Sequence, residues 1–105
     1  MEKRIRVVIK EVGMVVEREA VIDNTVSAIQ NIVGGWIEAT VHHELPEGVI
    51  MLVDEEGLLK GKRPNIWNGT QWLVGTIVFT AVDHAGDFRS LTDEEIRGVQ
   101  EFIWG

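Results

Sequence analysis

The chain has 105 residues, 45% hydrophobic and 26% charged, with 10 Lys+Arg against 17 Asp+Glu and a net charge of −7. That suits one domain, residues 1–105, with a single modest core, and the lack of cysteine excludes disulfides, thiolate metal sites and cysteine nucleophiles. The acidic balance argues against general nucleic-acid binding, which needs many cations to neutralise phosphate, and the carboxylates are too scattered for a row-like mimic of DNA. No run approaches the roughly 18 apolar residues of a membrane span. The N-terminus opens directly into an alternating pattern rather than an apolar leader, so the expected location is the cytoplasm.

In chain order, Lys3 to Lys10 alternates as a strand, with Ile5, Val7 and Ile9 on one face and Arg4, Arg6 and Val8 on the other. Gly13 marks a turn, and Met14 to Ile22 reads as a second strand. Basic residues on the first strand and acidic ones on the second predict an antiparallel hairpin held partly by cross-strand charge. Asp23-Asn24-Thr25 is a helix-start cluster; Val26, Ile29, Ile32 and Val33 follow at helical spacing, and Gly34-Gly35 ends the helix. Trp36 to His43 alternates again. Val49 to Val53 is a continuous apolar run, as in a central strand covered on both faces.

Leu58 to Trp72 is the least regular stretch, punctuated by Gly61, Pro64 and Gly69. Leu73 to Val82 reads as one long strand, with Gly75 as a candidate bulge. At the C-terminal helix Thr92 and Glu95 form a capping box. Leu91 and Ile96 stand as a hydrophobic staple, and Asp93 and Glu94 occupy the acid-favouring first turn. Gly98 either weakens this helix by about 1 kcal/mol relative to alanine or admits a close neighbour. The predicted fold is α+β, in the order ββαβββα: a small, largely antiparallel sheet of about five strands with two helices on one face.

Between Gly34 and Ile103 the chain resembles the family known as domain of unknown function 3846. The resemblance rests on Gly35-Trp36-Ile37-Glu38, on Leu52-Val53-Asp54-Glu55-Glu56-Gly57, on Pro64-Asn65 and on Val74-Gly75-Thr76. It continues with Asp87-Phe88-Arg89-Ser90-Leu91-Thr92-Asp93-Glu94-Glu95-Ile96. It implies a phage or mobile-element origin and action inside a bacterial host, and supplies no catalytic residues.

The richest constellation is Lys60, Lys62, Arg63 and Asn65 with Trp67 and Trp72. Arginine grips phosphate or carboxylate with paired hydrogen bonds, asparagine reads a polar edge, and an indole face stacks on a ring. These are the groups that a small anionic, nucleotide-like ligand requires; the alternative is a solvated turn with both indoles packed at the core edge. Asp54, Glu55 and Glu56 read as solvated turn carboxylates. His42 and His43, adjacent on a strand, point to opposite faces and share no metal. Ser27 and Ser90 suit helix starts. No nucleophile elbow, phosphate loop or dinucleotide fingerprint is present. Thus no catalytic residue, metal or cofactor is assigned. Trp104, at the end of the apolar helical stripe, either folds back onto the core or meets a partner surface, most simply a second subunit in a homodimer.

Three functional expectations follow. The first is a non-enzymatic binding protein that acts on a host component by capturing a small anionic ligand. The second is an adaptor or inhibitor of a host protein that uses the acidic surface. The third is a hydrolase or transferase without a recognisable motif.

Overall fold

A computed structural model describes residues 2–105. Its elements in chain order are β1 (Arg4–Lys10), β2 (Arg18–Asp23), α1 (Val26–Val33), β3 (Ile37–Thr40) and β4 (Val49–Asp54). These are followed by β5 (Pro64–Trp67), β6 (Trp72–Val74), β7 (Ile77–Val82), β8 (Phe88–Arg89) and α2 (Asp93–Trp104). The main sheet runs β2-β1-β7-β4-β3, with β8 paired to β7, and every pairing is antiparallel. β5 and β6 form a separate hairpin.

The expected hairpin of β1 and β2 is present. Arg4 lies 3.7 Å from Asp23, and Arg6 lies 3.7 Å from Glu19 while also reaching Asp93 at the start of α2. β2 begins only at Arg18; Met14, Val15 and Val16 form an exposed apolar turn instead of the first half of a strand.

The two helices cover opposite faces, not one. β4 is buried at all six positions and β7 at all but its last, so both faces of the sheet centre need cover. On one face Ile29 and Val33 of α1 pack against Ile5, Val7, Ile9, Ile50, Leu52 and Val78. On the other, Ile96 and Val99 of α2 and Leu73 of β6 pack against Val8, Met51, Val53, Ile77 and Phe79. The alternation of side chains along each strand sends odd and even positions to different cores, so a strand apolar at every position requires two layers of cover.

Both helix termini match the sequence signals. Thr25 caps α1 by accepting from the Ala28 N–H, and Gly34 ends it at φ 88°. Thr92 and Glu95 complete their capping box, and Leu91 and Ile96 are buried together in the core below α2. Gly98 is there for proximity: a Cβ at that position would lie 2.5 Å from Pro46 Cγ.

The long strand expected from Leu73 to Val82 is broken. Gly75 sits at φ 75°, which an L side chain rarely tolerates, and the chain switches there from the small hairpin into the main sheet. A Cβ on Gly75 would also meet Lys62 Cδ at 2.8 Å. The apolar alternation on either side hides this change of sheet.

Candidate functional site

The irregular stretch after β4 divides into a closed part and an open part. The closed part is built around Asp54, whose side chain is 1% exposed. Its Oδ2 is 2.7 Å from Lys60 Nζ and 2.8 Å from Lys62 Nζ, and its Oδ1 accepts the Glu56 N–H at 2.9 Å. The same two ammonium groups cap the C-terminus of α1: Lys60 donates to Gly34 O at 3.0 Å and Lys62 to Val33 O at 2.7 Å. Cations there complement the negative end of the helix and satisfy carbonyls that have no partner within it. Burial pushes the Asp54 carboxyl up, but hydrogen bonds from Lys60, Lys62 and the Glu56 N–H outweigh it and hold the group far below the usual carboxylate range.

This clamp needs the glycine pair for a second reason beyond ending the helix. A Cβ on Gly35 would lie 2.6 Å from Lys60 Nζ and 2.7 Å from Asp54 Oδ1. Asn65 closes the junction from the other side. Its amide nitrogen donates to Lys10 O and Gly75 O, both at 2.8 Å, and its oxygen accepts from Lys10 Nζ at 3.1 Å. Asparagine thereby ties β1 to the break between β6 and β7.

Lys60, Lys62 and Asn65 therefore spend their polar atoms inside the fold, whereas Arg63, Trp67 and Trp72 face solvent. Arg63 forms no ion pair among the described residues, though its carbonyl holds the Gly75 N–H. Trp67 and Trp72 are cross-strand partners on the hairpin, each 52% exposed, with ring centroids 5.6 Å apart in an edge-to-face arrangement. A shallow groove of about 250 Å³ lies beside Trp72, bordered by Leu58 and by the carboxylates of Glu38 and Glu55.

Three further sequence readings change. Asp54 is buried and paired, unlike its solvated neighbours Glu55 and Glu56; the local run of acids gave no sign of this, because its partners come from beyond the turn. His42 and His43 do not point apart. β3 ends at Thr40, and beyond it the two rings stack at 4.4 Å, with His42 Nε2 2.8 Å from Asn68 O and its ring against Phe102. Ser90 is no helix cap: its hydroxyl accepts the Arg6 N–H and donates to Glu2. Among the described residues no three His, Asp or Glu side chains gather as metal ligands, and no helix is long and apolar enough to cross a membrane. Trp104 folds back so that its Nε1–H donates to Glu17 at 2.8 Å, yet its ring stays more than half exposed.

The fold is thus a two-faced antiparallel α+β domain with a polar keystone under one end of α1. The chain belongs to the family described as Domain of unknown function (DUF3846), whose model matches residues 5–103. No curated protein and no solved structure matches it. Several of the residues that carry the family resemblance lie at two places. Gly35 and Gly57 lie against Asp54, while Asn65 bonds to the carbonyl of Gly75, which lies against Lys62 of the same clamp. Arg89 to Ile96 anchors α2, where the Arg89 guanidinium grips Glu95 through two bonds of 2.8 and 2.9 Å.

Proposed function

We propose that this protein is a non-catalytic binding module that recognises an exposed basic segment of another protein through Trp72, Trp67, Leu58 and the flanking Glu38 and Glu55. The observation that carries this reading is the half-exposed Trp72, paired with Trp67 and set beside Glu38 and Glu55, which form no ion pair among the described residues. An arginine or lysine laid over an indole face gains cation–π attraction, and neighbouring carboxylates add charge-assisted hydrogen bonds. The net charge of −7 steers a basic partner toward the domain. In the setting that the family resemblance implies, the partner is a protein of the bacterial host. Capture of a small anion loses support because Lys60 and Lys62 are already engaged by Asp54 and by helix carbonyls; the exposed Arg63 is what still favours it.

The test is binding of a labelled arginine- and lysine-rich peptide by fluorescence anisotropy, alongside native mass spectrometry with a nucleotide mixture. The peptide should bind, weaken as salt rises, and lose about tenfold or more with Trp72→Ala, as a desolvated aromatic anchor would. Nucleotide adducts lost in Arg63→Ala, with no peptide binding, would replace this reading by small-anion capture.

A further inference from the structure

The two edges of the main sheet differ. β2 closes one side and carries Arg18, Glu19 and Asp23, all exposed. β3 closes the other and carries a single charge, Glu38, with neither lysine nor proline. Charge, lysine and proline are the usual protection of an edge against further pairing, so β3 has only its shortness and the one carboxylate of Glu38.

The ladder shows which backbone groups are free. The Glu55 N–H donates to Trp36 O at 2.8 Å, so 36 and 55 form a bonded pair at the mouth of the β3–β4 ladder. Bonded and non-bonded pairs alternate in an antiparallel ladder. Glu38 with Val53 and Thr40 with Met51 are then bonded pairs, and Ile37 and Ala39 direct their N–H and C=O away from β4. On this edge the side chains of Glu38 and Ala39 are exposed, and Val41, just beyond it, is 70% exposed.

We infer that β3 pairs antiparallel with β3 of a second copy of this chain about a two-fold axis at Ala39. The register is self-complementary. Ala39 faces Ala39, so each donates to the other from its outward N–H. Ile37 faces the second copy's Val41, giving the bare valine an apolar partner. Glu38 faces the second copy's Thr40. A register centred on Glu38 would instead set two carboxylates directly opposite, which is destabilising. The contact is isologous and closed, joining two sheets into one and removing both exposed β3 edges.

Salt distinguishes this occupant from a basic strand on the same edge. Two copies at −7 each repel, so screening tightens the dimer, whereas screening loosens a basic segment. Sedimentation equilibrium and native mass spectrometry, from micromolar to millimolar protein and at low and high salt, read the outcome. Wild type should dimerise reversibly and more tightly in high salt. Ala39→Pro deletes an outward N–H without touching the β3–β4 ladder, and should weaken the dimer by about tenfold or more. Ala39→Lys serves as a second edge variant should the proline disturb folding, which the melting curve reports. A monomer throughout, or a dimer that survives both substitutions, overturns the inference. So does a basic peptide whose binding Ala39→Pro abolishes while the protein alone stays monomeric, since the edge then belongs to that partner.

Discussion

Residues 60 to 65 and residues 67 to 72 are neighbours in sequence, yet they treat their side chains in opposite ways. In the first set every side chain with a long polar reach except the exposed Arg63 finds a partner within the fold: two ammonium groups and an amide meet a buried carboxylate, two helix-end carbonyls and the backbone of two strands. The second set turns outward, leaving two indoles half in water. The difference teaches that a cluster of binding-type residues in sequence is a poor guide to a binding site. What counts is whether the fold has already supplied their partners.

Removing the centre of the closed region should have the largest effect. Asp54→Ala leaves two lysines facing each other and the helix end without their counter-charge. Breaking a buried pair from one side costs about 3 kcal/mol at the low end of the known range, which applies here because both lysines keep some contact with water. Equilibrium urea unfolding checks this, and a loss below that of an ordinary surface substitution would remove Asp54 from its central role.

Acid should probe the same region. Asp54 and Glu95 both have depressed pKa values, Glu95 chiefly through its bond to Arg89. A depressed group stabilises the fold above its unfolded pKa and loses that contribution as pH falls toward its folded one. The melting temperature should therefore hold through neutral pH and fall below about pH 4, with a shallower fall in Asp54→Ala.

A smaller effect is expected at Gly98. Alanine would gain about 1 kcal/mol of helix propensity. It would also drive a methyl to 2.5 Å from the Pro46 ring, which cannot swing aside. Overpacking costs of 1–3 kcal/mol are typical, so Gly98→Ala should destabilise by about 1 kcal/mol on balance. A stabilised variant would show that α2 can slide from Pro46. The smallest effect on stability belongs to the open region: Trp72→Ala should cost less than about 1 kcal/mol, mainly its edge-to-face contact with Trp67. A cost as large as that of Asp54→Ala would mean that the indoles are part of the core rather than a contact surface.

Features read correctly from sequence were those decided within a few residues. The helix-start cluster of Asp23 to Thr25, the glycine stop at Gly34-Gly35, the capping box of Thr92 and Glu95 and the staple of Leu91 with Ile96 all rest on spacings of five residues or fewer. The charge pairing of β1 with β2 was legible because a hairpin is local. The break at Gly75 was not, because Trp72–Val74 and Ile77–Val82 share one alternation but belong to different sheets. At the site, the exposure of Trp67 and Trp72 was left open by the sequence. The commitment of Lys60 and Lys62 was invisible there, since their carbonyl partners lie 26 and 29 residues earlier.

The place of β7 has a kinetic consequence. β1 pairs with β2, and β3 with β4, through short connections, but neither hairpin hydrogen-bonds to the other. β7 is inserted between β1 and β4 and is the one strand that joins them. During folding the two hairpins can form early and independently, but the sheet and both its cores stay open until residues 77–82 arrive. Contacts of such long sequence separation are the slow ones, so the arrival of β7 should set the folding rate.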